Sequence, residues 1–273
     1  MATAEVESRQ GNASQSPQVL QTPPSWRHQL LVWPLSALKH VVYPPLCLVC
    51  DVDLDCPNEH FCPACIEELI AFGPACPHCA ASVGPFADTS DGCLDCRGQR
   101  HRFDGAIRLG IYSGKLRDLC LSFKSVRNEL IGPALGNIFD RFRGEELRRV
   151  VPDVVVAVPL HFMRRFVRGF NQAESLARYL AHVLKVPHRS RILKRFRRTL
   201  PQSQLKRDER HENVSGAFRA RTAADLKGAT VLLVDDILTT GATCSEAARA
   251  LKDAGAKRVV VAVIGRSQEH PGG

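Results

Sequence analysis

Residues 231–243 read VLLVDDILTTGAT, and the fold is decided there. Thr230–Val234 is a short continuous apolar or β-branched run, the pattern of a strand buried on both faces. Two adjacent carboxylates do not belong inside such a strand, so Asp235 and Asp236 are placed at its carboxyl end. Thr239, Thr240, Gly241, Ala242 and Thr243 form a small turn rich in hydroxyls. Thr243 and Glu246 have the spacing of a capping box, and Ala247, Ala248, Ala250 and Leu251 continue as a helix. Strand, paired acids, small turn and helix make a phosphate cradle. Backbone N–H groups of the turn and the helix start can hold a phosphate, and Gly241 allows close approach. The acids then lie within reach of vicinal sugar hydroxyls. No Gly-Lys-Ser/Thr follows, which excludes a Walker A loop, and no G-x-G-x-x-G is present, which excludes a dinucleotide fingerprint.

A second strand, Asp153–Val158, runs into a loop carrying Arg164, Arg165 and Arg168, whose forked guanidinium groups suit a pyrophosphate. Asn171, with Glu174 three residues on, is expected to cap the next helix, whose apolar stripe is Ala173, Leu176, Ala177, Leu180, Val183 and Leu184. Asp104–Tyr112 reads as an edge strand, Gly114–Val126 and Leu130–Arg149 as helices, and Val259–Ile264 as a further strand. Lys115 and Lys124 are expected on a solvated helix face, with approach of Lys124 to the nucleotide site as the alternative. Thr199–Arg210 reads as a mobile loop of the kind that closes over a reactive site, His211–Phe218 returns the chain to the fold, and Arg266–Gly273 is expected to fray.

Four C-x-x-C pairs stand in a row: Cys47/Cys50, Cys62/Cys65, Cys76/Cys79 and Cys93/Cys96. Zinc takes four thiolates in a tetrahedron and a C-x-x-C knuckle supplies two, so four pairs make two closed, structural sites. Sequential pairing is the simplest arrangement, and a cross-brace uses the same residues. Cys56 is expected to be unliganded, and His60 and His78 to be surface residues. The segment is short and poor in apolar residues, which predicts folding that depends on metal. Eleven cysteines in a chain whose N-terminus shows no secretory signal argue for metal over disulfides, and a cytoplasmic setting is expected. No apolar run approaches the roughly 20 residues of a membrane span.

Residues 1–25 are polar, with Pro17, Pro23 and Pro24, and read as a disordered tail. Residues 26–46 form a short apolar segment that Pro34 interrupts, with Leu30, Leu31, Leu35 and Leu38 able to line one helix face. The expected organisation is completed by a Cys-rich unit over 47–97 and a main domain over 103–266. The net charge of +9 is localised: residues 161–221 hold 16 Lys and Arg against 4 Asp and Glu. With Phe170 and Phe196 interleaved, that stretch suits a nucleic-acid contact and equally a solvated basic face.

The VLLVDDILTTGAT stretch resembles the 5-phosphoribosyl-1-pyrophosphate (PRPP) motif of type I phosphoribosyltransferases. Taken with the C-x-x-C knuckles, the VPLH…RR…RGFNQAE segment and PQSQLKRDERHENVSGAF, in that order, residues 44–265 resemble the ComF (competence protein F) family. The resemblance implies an α/β fold: a Rossmann-like type I phosphoribosyltransferase domain behind a small N-terminal double zinc ribbon. It implies that Asp235 and Asp236 hold the ribose hydroxyls and that Thr239, Thr240, Gly241, Ala242 and Thr243 bind the 5-phosphate. It assigns Val158-Pro159-Leu160 with Arg164 and Arg165 to the pyrophosphate loop. Residues 199–213 become the flexible loop, with Lys206 and Arg207 reaching the pyrophosphate. Magnesium is expected to accompany PRPP, and two zinc ions to be structural. The implied setting is DNA uptake in natural transformation. One reading is a phosphoribosyltransferase with an unknown acceptor and no evident general base. The alternative is a non-catalytic module for single-stranded DNA that docks a DNA-uptake helicase, with its PRPP pocket vestigial or sensory.

Overall fold

A computed structural model describes residues 45–268, apart from 57, 97–98, 100, 126–130, 161–170, 198, 201–204, 206–208 and 223. The expectations for residues 1–25 and for most of 26–46 lie outside the described residues. In chain order the main elements are α1 (Pro63–Leu69), β1 (Gly105–Ile111), α2 (Gly114–Ser125), α3 (Ile131–Val150), β2 (Val154–Ala157), α4 (Gln172–Leu184), β3 (Leu193–Arg195), α5 (Glu209–Val214), β4 (Phe218–Ala220), β5 (Thr230–Leu238), α6 (Ala242–Asp253) and β6 (Arg258–Arg266).

Four strands form one parallel sheet in the order β1-β6-β5-β2. Their near-continuous Val, Leu, Ile and Ala runs are what a parallel sheet covered on both faces requires. Alternate residues serve the two faces. Leu232, Val234, Val260, Ala262 and Ile264 pack with Leu135, Ile138 and Phe139 of α3 and Leu176 and Leu180 of α4. Val231, Leu233, Val259, Val261 and Val263 pack with Cys244, Ala247, Ala248 and Leu251 of α6, and with Leu193 and Phe218 of the β3–β4 hairpin. The small residues Ala247 and Ala248 let α6 lie close on the sheet, which brings its first turn to the carboxyl end of β5.

β1 lies at one edge of the sheet, as expected. Its outer side is sealed by the Cys-rich segment: Ala71 donates to the Leu109 carbonyl at 3.1 Å, and Ala106 donates to the Pro77 carbonyl at 3.0 Å. Gly110 permits this contact, because a Cβ there would sit 2.1 Å from the Leu69 carbonyl oxygen. Phe61, Leu69 and Ile70 join the core on the α3 face. Two arginines complete the seam, Arg108 buried and Arg143 partly buried. Arg108 donates to the Ala80 carbonyl at 2.6 Å and to Ser82 Oγ at 2.7 Å, and Arg143 donates to the carbonyls of Arg108 (3.0 Å) and Ala71 (2.5 Å).

Three expectations need correction. β5 does not end at Val234 but runs through both acids to Leu238, with Asp235 opposite Val263 and Ile237 opposite Gly265. Ladder pairing with β6 holds the backbone extended after the apolar pattern has stopped. Arg266 is not frayed: it is the last residue of β6 and is buried. The loop read over Thr199–Arg210 is not loop to its end, since Glu209 and Arg210 open α5; in sequence it falls between the two strands of the antiparallel β3–β4 pair.

Candidate functional site

Asp235 shares the strand parity of Val231 and Leu233, so it faces α6. Its Oδ2 lies 3.5 Å from Cys244 Sγ in the first turn of that helix, and its Oδ1 accepts the Asp236 N–H at 2.9 Å. Asp236 Oδ1 accepts the Ile237 N–H at 2.8 Å. Burial, then the charge of Asp236, push the Asp235 carboxyl well above the ordinary carboxylate range. Burial followed by the charge of Asp235 pushes the Cys244 thiol up as well. Such a pair is the environment that a divalent cation relieves.

After Leu238 the chain turns through Thr239 and buried Thr240 to Gly241, which takes the left-handed conformation (φ +78°) and leads into α6. Thr240 Oγ1 accepts the Ala242 N–H at 3.4 Å. The expected capping box is not formed. Gly241 occupies the cap position without a side chain, and Glu246 instead accepts from the Gly216 N–H at 2.6 Å and from Arg249. The first turn of α6 also contains no acid. Its amide dipoles therefore act on the loop with no carboxylate of the helix's own first turn to oppose them. Asn171 stands at the start of α4 but does not cap it through its side chain; its Nδ2 donates to the Val158 carbonyl at 3.0 Å, tying α4 to the end of β2. Glu174 lies 3.4 Å from His188 Nε2 instead.

Two further residues surround the loop, and the sequence did not point to either. The His101 ring lies over Gly241 and stacks on Phe103 at 4.6 Å, while the Arg102 N–H donates to Ser245 Oγ at 2.9 Å. Burial, then the charges of Arg266, His211 and His78, bring the His101 pKa down to about 4. Arg266 donates to the carbonyls of Leu238 (3.2 Å) and Thr239 (2.5 Å). For Arg266 the sequence is misleading, because Gly265 breaks the apolar run of β6 just before it. No signal existed for His101, which falls between the Cys-rich unit and the main domain.

The cysteines form two groups, Cys47, Cys50, Cys62 and Cys65, and Cys76, Cys79, Cys93 and Cys96, which is the sequential pairing. Among the described residues no other such cluster occurs. With zinc–sulfur bonds of about 2.3 Å, the edge of a tetrahedral site is about 3.8 Å. The sulfurs stand 3.7 Å apart for Cys50 and Cys62, 3.8 Å for Cys76 and Cys96, 3.5 Å for Cys79 and Cys93, and 3.9 Å for Cys93 and Cys96. These spacings suit a metal and are far too long for disulfides of about 2.05 Å. Burial opposes ionisation of Cys47, but the backbone N–H groups of Cys62, Cys50 and Val49 outweigh it and lower that thiol to about 7. Exposed Cys56 stands outside both groups. Lys115 is not on a merely solvated face. It pairs with Glu68 at 2.6 Å and lies 3.8 Å from Cys65 Sγ, where a cation offsets thiolate charge.

A model of the phosphoribosyl transferase domain matches residues 152–270. The DNA utilization protein YhgH of Salmonella typhimurium is 31% identical over 225 residues, covering 80% of this chain and 95% of that protein. The chain belongs to the ComF family. Competence protein F of Haemophilus influenzae is 29% identical over 227 residues (81% of this chain, 96% of that one), and competence protein ComFC of Bacillus subtilis is 27% identical over 232 (77% and 90%). Among solved structures, the B. subtilis glutamine PRPP amidotransferase complexed with ADP and GMP has a TM-score of 0.29 at 24% identity, over 41% of this chain and 22% of that one. The purine phosphoribosyltransferase of Pyrococcus horikoshii has a TM-score of 0.26 at 24% identity, over 44% and 64%. This ComF chain joins two four-cysteine groups, each spaced to hold a metal ion, to an α/β phosphoribosyltransferase domain. Four of the expected ComF site residues, Arg164, Arg165, Lys206 and Arg207, lie outside the described residues, as do the side chains of Arg168, Phe170 and Lys124. Among the described residues no helix is long and apolar enough to cross a membrane.

Proposed function

We propose that this protein binds PRPP, or a related phosphorylated ribose, with magnesium and works in DNA uptake or utilisation. The facing of Asp235 and the first turn of α6, joined through Cys244 at 3.5 Å, carries the proposal. It gives sugar hydroxyls an acceptor and a 5-phosphate a ring of amides within one pocket length of each other. Asp235 and Asp236 take the ribose hydroxyls. Thr239, Thr240, Gly241, Ala242 and Thr243 take the 5-phosphate, and Arg164, Arg165, Lys206 and Arg207 take the pyrophosphate. Magnesium, when bound near the two acids and the pyrophosphate, neutralises charge that would otherwise oppose binding. The two four-cysteine groups hold structural zinc. As an enzyme, the protein lets an acceptor nucleophile attack the ribose C1. The C1–O bond breaks through an oxocarbenium-like state, and pyrophosphate leaves with the bonding electron pair. The names of the relatives, competence protein and DNA utilization protein, support the setting.

A second reading, a single-stranded-DNA module that docks a helicase, draws support from the β3–β4 hairpin. Phe196 is 57% exposed beside it with Arg219 over its ring at 5.5 Å, and Lys194, Arg195 and Arg197 stand alongside. Calorimetry separates the two. PRPP with magnesium is titrated into the wild type and into an Asp235→Asn, Asp236→Asn double variant, with single-stranded oligonucleotide titrated in parallel. PRPP heat that is lost in the variant while oligonucleotide affinity survives supports the first reading. Absence of PRPP heat from the wild type ends it.

A further inference from the structure

We infer that Arg266 is a positioning residue that couples the second four-cysteine centre to the phosphate loop, so that metal loading and sugar-phosphate binding strengthen each other. The inference rests on the sugar-phosphate reading for its ligand, not for its structural half. Arg266 is only 6% exposed and spends its guanidinium in two directions at once. On one side Nε donates to the carbonyl of Cys79 at 3.0 Å, and Nη2 lies 3.4 Å from Asp95 Oδ2, between Cys93 and Cys96. On the other side Nη1 donates to the carbonyls of Leu238 and Thr239, where β5 becomes the loop, and to that of Ser267. A guanidinium is a planar fork, so movement of the Cys79 knuckle is passed to Thr239 without slack.

The exit of the loop is held from the same centre. A few residues after Cys96 the chain places His101 over Gly241 and bonds Arg102 to Ser245 in α6. The second centre thus grips the loop at both ends. The first centre has no such contact among those described; its neighbours are Lys115 of α2 and Glu68, at the other side of the seam. The two centres, alike in chemistry, therefore differ in consequence. Loss of the second ion frees the Cys79 carbonyl and Asp95, leaves Arg266 with its loop-side partners alone and lets the loop amides diverge from one phosphate. Loss of the first does not. Linkage makes the effect reciprocal: a ligand on the loop slows release of the second ion by holding the same arginine.

The test uses the full chain, in Cys50→Ser (first centre), Cys93→Ser (second centre) and Arg266→Lys forms. Deuterium uptake is followed in peptides spanning 237–243, ribose 5-phosphate affinity by calorimetry, and zinc release by a chromophoric chelator. Cys93→Ser is expected to raise loop exchange and weaken ribose 5-phosphate by about tenfold, within the usual span of such couplings, and Cys50→Ser by less than about twofold. Arg266→Lys, with both ions in place, is expected to raise loop exchange and to abolish the slowing of zinc release by ribose 5-phosphate. A merely structural arginine would not move that last readout. Equal effects of the two cysteine variants, or unchanged loop exchange in Arg266→Lys, overturn the coupling even where ribose 5-phosphate binds normally. Should ribose 5-phosphate give no heat with the wild type while the exchange contrast holds, the coupling stands and the sugar-phosphate reading falls. If Cys93→Ser does not fold, the fully loaded Arg266→Lys protein decides alone.

Discussion

Gly241→Ala adds two costs that can be measured apart. The first is conformational: at φ +78° an alanine Cβ crowds its own backbone, which costs about 1–2 kcal/mol. The second is steric. The new Cβ would stand 2.8 Å from His101 Cε1 and 3.0 Å from Nδ1, and 3.4 Å from Phe103 Cε1. An imidazole can swing aside, but only by giving up its stacking on Phe103, so this cost belongs near 1–2 kcal/mol, the lower part of the overpacking range. Together they predict a loss of about 2–4 kcal/mol in equilibrium urea unfolding. A cycle with His101→Ala tests the division, since the second cost vanishes once the ring is gone and the first does not. A coupling of about 1–2 kcal/mol between the two positions is expected. If Gly241→Ala costs less than about 0.5 kcal/mol, the loop does not hold a left-handed glycine. If the coupling is nil, His101 does not cover it, and the roof assigned to the phosphate loop is lost.

Asp235→Asn should raise the thermal midpoint at neutral pH while removing PRPP binding. The native carboxyl has a raised pKa, so above the ordinary value near 3.8 the unfolded chain ionises more readily than the folded one, and stability falls as pH rises. The variant escapes that penalty, and its advantage should fade below pH 4. An unchanged or lower midpoint at pH 7.5 would refute the burial assigned to this acid. His101 runs the other way: its pKa falls from 6.5 to about 4, so its contribution is full above 6.5 and is lost as pH falls toward 4. His101→Phe should flatten the decline in urea stability between those limits. Gly110→Ala should cost about 3 kcal/mol or more, because the obstacle is the fixed Leu69 carbonyl and not a side-chain tip, and normal urea stability would refute that contact.

What the sequence revealed was local, and what it hid was distant. The β5–α6 unit was legible because strand, acids, turn and helix follow within about twenty residues, and each C-x-x-C knuckle is complete in four. Sequential pairing of the knuckles was the simpler of two arrangements, and the sulfur spacings select it. The end of β5 was misjudged because Asp235 and Asp236 look like a stop, whereas pairing with β6 carries the strand past them. β3 and β4 are three residues each, too short to show alternation within a basic run, and they find each other across α5. The contact of Arg266 with Cys79 spans 187 positions and obeys no period. The capping box failed because the helix begins two residues before the start that the Thr243–Glu246 spacing implied: Gly241 holds the cap position, and Glu246 bonds Gly216 and Arg249 instead.

The seam along β1 has a consequence for handling the protein. Ala106 N–H and the Leu109 carbonyl are paired with the Cys-rich segment, whose short, apolar-poor sequence predicts folding that depends on metal. Chelation should therefore bare an apolar strand with unpaired backbone groups, a template for pairing with another chain. Zinc depletion would then show first as turbidity, before any loss of helix signal, and the metal content of the medium would set how concentrated the protein can be kept.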